Sequence, residues 1–71
     1  MSLAMVKAGS RVRFVAVDSG RGLQSRLAAM GMVPGAEIEV IQNSFFGPFI
    51  VMVKGSRIML GRGMAQKIIV A

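Results

Sequence analysis

The chain has 71 residues, a net charge of +6, a pI near 11.7, 54% hydrophobic and 17% charged side chains, and no cysteine. That length suits one domain, expected over residues 1–71, near the lower limit for a core that folds unaided, and the lack of cysteine excludes bracing by disulfides or thiolate metal sites. No apolar run approaches the ~18 residues of a membrane-spanning helix, and Lys7 follows too short an apolar stretch for a signal peptide. The expectation is a soluble cytoplasmic protein. Its charge favours acidic partners: nucleic acid, anionic lipid or an acidic protein surface. So small a chain cannot bury all its apolar side chains, so exposed apolar surface is expected, the kind that marks a partner site or a homodimer face.

Met1-Ser2-Leu3, and residues 1–4 more broadly, read as an expression remnant outside the fold. Ala8-Gly9-Ser10 reads as a turn into a first strand over residues 11–17, with Arg11 and Arg13 on one face and Val12, Phe14 and Ala16 on the other. Asp18 or Ser19 could cap a helix that starts near Arg21 or Leu23 and ends at Met30. Leu23, Leu27 and Met30 share one face of it. Gly31 stands where a left-handed helix cap needs a residue without Cβ, and Pro34-Gly35 fits the centre of a type II turn. The second strand, residues 37–42, alternates with Glu37 and Glu39 outward.

Residues 43–48 are dense in turn formers and read as a hairpin loop. The apolar run over residues 49–54 reads as a strand covered on both faces or lying under a partner. Lys54-Gly55-Ser56 makes a tight turn. A fourth strand follows over residues 57–60, then a single 3₁₀ turn over residues 61–66, then a fifth strand over residues 67–70. Short, closely spaced strands with tight hairpins predict a mainly β fold. It is a small SH3-like barrel of about five strands, with one short helix after the first strand and a 3₁₀ turn before the last.

An ordered set of residues carries a family resemblance. It runs through Gly9, Arg26-Leu27, Met30-Gly31-Met32 with Pro34-Gly35, and Glu37-Ile38-Glu39-Val40. It continues with Gly47-Pro48, Val51, Val53, Gly55, Ile58 and Leu60, and closes with Ala65, Ile68 and Val70. On these residues the chain resembles the FeoA family, small cytoplasmic accessory proteins of bacterial ferrous iron uptake. The resemblance implies the same barrel and a partner, the membrane transporter FeoB with its cytoplasmic GTPase domain. It implies no enzymatic activity and no cofactor, and offers no catalytic or metal residues to carry over. A similar barrel also forms the C-terminal domain of some iron-dependent repressors.

The donor inventory limits what the chain can do with iron. Ferrous iron favours imidazole and carboxylate, whereas this chain has no histidine and three acids, Asp18, Glu37 and Glu39. Glu37 and Glu39, on one strand face, are conceivable as a weak cation site. The plainer reading is a solvated strand face. Met30, Met52, Met59 and Met64 read as core or interface filler. Ser10, Ser19, Ser25, Ser44 and Ser56 have no histidine to activate them. Gly20-Arg21-Gly22 and Gly61-Arg62-Gly63 lack the ending of a phosphate loop and read as loop glycines with solvated arginines.

What remains is binding. Arg11, Arg13, Arg26, Lys54, Arg57 and Lys67 supply most of the positive charge. They suit an acidic protein surface or the inner leaflet, or else nucleic acid. Nucleic acid is disfavoured, because the chain has no Tyr or Trp from which to build a stacking platform. The adjacent rings of Phe45 and Phe46 in the hairpin loop cannot easily both point inward, so either one caps the barrel end and the other is exposed, or the loop tip inserts into a partner. The partner-binding candidates are therefore Phe45, Phe46, Arg11, Arg13, Lys54 and Arg57.

Overall fold

A helix, its stop signal and a turn set the direction of most of the chain. In the computed structural model, which describes residues 1–18, 21–44 and 46–71, α1 (Arg21–Ala29) follows β1 (Arg11–Val17). The Gly31 N–H donates to the Ala28 carbonyl and the Met32 N–H to the Leu27 carbonyl, the two bonds of a Schellman cap. Gly31 takes φ +90°, as that cap requires. Pro34-Gly35 then turns the chain, with Ala36 N–H donating to Val33 O at 2.9 Å and Gly35 at φ +89°, a type II turn. The turn docks on β1 through Gly35 N–H to Phe14 O and Phe14 N–H to Ala36 O, both 2.8 Å.

From there β2 (Glu37–Asn43), β3 (Phe49–Val53), β4 (Ser56–Leu60) and β5 (Ile68–Val70) complete a five-stranded antiparallel sheet in the order β4-β3-β2-β1-β5. Lys54 at φ 50° and Gly55 at φ 79° close a two-residue hairpin on the Val53–Ser56 pair, a type I′ turn that matches the strand twist. Irregularities between Phe14 and Ala16 and between Val40 and Gln42 bend the sheet. One buried cluster takes side chains from every strand and from α1, including Phe14, Leu27, Ile38, Val51, Leu60 and Ile68, so the sheet wraps around a single core.

The structure corrects the sequence reading at several points. The bulge in β1 leaves Ala16 exposed and turns Val17 inward in its place. Among the described side chains of α1 only Leu27 is fully buried; Met30 is exposed, and Met32, beyond the cap, enters the core instead. Strand β3 is not covered on both faces: Phe49, Val51 and Val53 are buried, while Ile50 and Met52 between them are half-buried. The short helical segment before β5 is α-helical over Arg62–Lys67 (α2), because the chain there is one turn longer than a single 3₁₀ turn needs. The 3₁₀ turn lies instead at Leu3–Met5.

The N-terminal residues are part of the fold. Leu3 is fully buried. Ser2 caps the 3₁₀ turn through its hydroxyl, bridges to Ile69, and donates to the carbonyls of Ala65 and Gln66. Composition alone could not show that Leu3 fills the gap between α2 and β5. The expected cap at Ser19 lies outside the described residues.

Candidate functional site

Alternation along the strands sorts the charged side chains onto the outer face of the sheet. The register sets Arg13 opposite Glu37 and Arg11 opposite Glu39, then Glu39 opposite Met52 and Met52 opposite Arg57. One row therefore runs Arg11, Glu39, Met52, Arg57 across four strands, with Arg13 and Glu37 in the next row. Arg11 also reaches Glu37 diagonally, Nε to Oε2 at 3.9 Å, with both side chains well exposed. Arg13 donates from a guanidinium nitrogen to Gly35 O at 2.8 Å, which fixes it against the type II turn.

A shallow cleft of about 490 Å³ is lined by Arg11, Val12, Arg13, Glu37 and Ala71. A second, of about 360 Å³, is lined by Arg11, Glu37, Glu39, Met52 and Lys54. They share Arg11 and Glu37, so they form one concave strip. The structure thus brings Arg11, Arg13, Lys54 and Arg57 to one side of the molecule. Arg26 on α1 and Lys67 at the end of α2 are exposed elsewhere.

On β3 and β4 the next row toward the β2–β3 loop is apolar, with Gln42 opposite Ile50 on β2. Ile50 lies beside Met59, which is 70% exposed, and Ile41 sits at the β2 irregularity. Met59 and Met30 are thus surface residues rather than core filler, while Met52 and Met64 are half-buried. Phe46 stands 96% exposed in the loop that joins β2 to β3; Phe45 lies outside the described residues. The loop and the Lys54 turn are at opposite ends of β3, about 13 Å apart over four strand rises. The structure therefore does not place Phe46 in the cationic cleft.

Glu37 and Glu39 do share a face, but each faces an arginine across β1. The Arg11 guanidinium, 3.9 Å from the Glu37 carboxylate, opposes the entry of a cation there. Among the described residues no three His, Cys, Asp or Glu side chains come together in a metal-holding group.

Sequence reasoning missed Arg62 and Asn43. Arg62 is half-buried rather than solvated. It donates to Asn43 Oδ1 at 3.1 Å and Ser44 O at 2.6 Å, and its guanidinium lies 5.8 Å from the Phe49 ring centroid. Asn43 donates in turn to Ala4 O at 3.1 Å and Val6 O at 2.7 Å. Together they tie the base of the Phe46 loop to α2 and to the N-terminal segment. No local pattern signals this, since every contact is long-range in sequence.

Comparison with known proteins agrees with this architecture. The model of the FeoA domain family matches residues 1–71. A protein of Methanocaldococcus jannaschii named "Putative Fe(2+) transport protein A" is 44% identical over 68 residues, covering 96% of this chain and 82% of the relative. A crystal structure of an iron uptake regulatory protein, FeoA, superposes with a TM-score of 0.84 at 30% identity, covering 97% of this chain and 90% of that one. The zinc complex of Stenotrophomonas maltophilia FeoA, described as a prokaryotic SH3 domain protein, is 22% identical and superposes with a TM-score of 0.85 over 100% of this chain and 89% of its own. That likeness supports the SH3-like fold. With the family model matching the whole length and a relative this similar, the chain belongs to the FeoA domain family.

Proposed function

We propose that this chain is a non-enzymatic accessory protein of ferrous iron uptake that acts in the cytoplasm, at the inner face of the membrane, by docking on the cytoplasmic side of the FeoB transporter. The observation that carries this reading is the outer face of the sheet. It gathers Arg11, Arg13, Lys54 and Arg57 around a concave strip beside exposed apolar side chains. Such a mixture suits an acidic protein surface, where charge steers the encounter and apolar contacts hold the complex. The chain's donor set, with no histidine or cysteine and its two strand glutamates set opposite arginines in the sheet register, fits a role through protein contact rather than iron carriage. Equilibrium dialysis that returned a stoichiometric micromolar ferrous complex would overturn that part.

The docking test is a backbone amide NMR titration with the cytoplasmic part of the cognate transporter, with a nucleic-acid control. Shifts confined to the sheet face with the transporter alone are expected. Broad shifts of the arginine strands with nucleic acid and none with the transporter would sink the docking reading. In the same assay Phe46→Ala should leave the urea midpoint unchanged and weaken association, because an exposed ring at a loop tip contributes little to the core and much to a contact.

A further inference from the structure

The two edges of the sheet differ. The outer edge of β5 is covered: Ser2 bridges to Ile69, and the Val70 N–H donates to Met1 O at 2.8 Å. The edge at β4 is open, with β3 as its one sheet neighbour among the described residues. Along β4, Ser56, Arg57 and Met59 are exposed, Ile58 is half-buried and only Leu60 is buried. The hairpin fixes which backbone groups face outward. Val53 and Ser56 flank a two-residue loop and form a hydrogen-bonded pair, so bonding alternates from there. Ile58 and Leu60 then bond to β3, while the N–H and C=O of Arg57 and Met59 point away from the sheet.

We propose that the β4 edge takes an extended acidic–apolar peptide segment of the partner as a sixth strand, pairing with the backbone of Arg57 and Met59. This deepens the docking reading and rests on it. The side chains give the chemistry of the segment. A residue beside Arg57 lies on the outer face next to a guanidinium, with Lys54 in the adjoining turn as a second cation, and must be acidic. A residue beside Met59, two positions along on the same face, must be apolar. The residue between them lies inward beside half-buried Ile58 and is also apolar.

A second copy of this chain fits poorly. Pairing centred on Arg57 sets two guanidinium groups side by side, and any pairing brings together two chains of charge +6. The added strand follows the general mode in which main-chain bonds give affinity and alternate side chains give specificity.

The probe is the peptide Ser-Glu-Val-Leu-Val-Glu-Ser, which presents the acidic–apolar order in either strand direction. Its titration should shift amides of β4 and its neighbour β3. Met59→Pro is the discriminating variant, because the Met59 N–H bonds nothing in β3 and proline is tolerated at an edge position that faces solvent. It should leave the fold intact and weaken the peptide about tenfold or more, through loss of an edge bond. Arg57→Glu should do the same and recover binding to the peptide with both Glu replaced by Lys. No peptide binding, or binding indifferent to both variants, would overturn the inference. The transporter titration separates the two readings. Transporter binding that survives Met59→Pro unchanged leaves docking standing and removes the edge. No transporter binding by the unaltered chain removes docking itself.

Discussion

At the scale of single residues, Gly31 is the position where one methyl group decides the most. It sits at φ +90°, and a Cβ there would meet Lys54 Cδ at 3.3 Å and Val53 Cγ1 at 3.5 Å. The backbone conformation is costly for any L side chain, and the Lys54 side chain would have to give by a few tenths of an ångström. Gly31→Ala should cost about 1–2 kcal/mol, read as a lower urea midpoint at an unchanged slope. Asn43 is the polar counterpart. It donates to two carbonyls of the N-terminal segment and accepts from Arg62. Asn43→Ala should cost about 2 kcal/mol, since it releases a charged donor and two partly buried carbonyls at once. It should also broaden the amide signals of residues 4–6. The Arg11–Glu37 pair is different in kind: at 3.9 Å with both partners well exposed, it adds little to stability and leaves both charges available to a partner.

At the scale of elements, most of the fold was legible because its signals are local. The alternation of Arg11 to Phe14 and of Glu37 to Val40, the Gly31 cap and the Pro34-Gly35 and Lys54-Gly55 turns each act through neighbouring residues, and each appears in the structure. What could not be read depends on distant parts of the chain. The β1 bulge that turns Ala16 outward answers to its pairing with β5, and the burial of Leu3 answers to α2 and β5. Leu3 makes the sharpest test of that second point. A fully buried leucine in a core this small has few neighbours able to close over a void. Leu3→Ala should therefore cost about 2–4 kcal/mol, a large share of what a chain of this size can hold. A melting temperature unchanged by the substitution would return residues 1–4 to the status of an appendage.

At the scale of the whole molecule, the candidate site was half legible. Alternation was enough to put Arg11 and Arg13 on one face, but only the register across four strands shows that Arg57 joins Arg11 in one row and that both strand glutamates face arginines. The same register separates Phe46 from the cationic strip, so the docking face has an electrostatic end and an apolar end. These two ends should leave different marks on binding. Charges exposed over the face act at long range and are screened over a Debye length of ~10 Å at 0.1 M salt. The apolar contacts at Met59 and Phe46 act only in the formed complex. Raising salt from about 50 to about 300 mM should therefore slow association with the transporter roughly tenfold, while the dissociation rate changes by less than about twofold. Stopped-flow measurement of both rates checks this. A salt-independent association rate would mean that Arg11, Arg13, Lys54 and Arg57 are not at the interface. A salt-driven change confined to dissociation would mean that their charges are buried within it rather than arrayed around it.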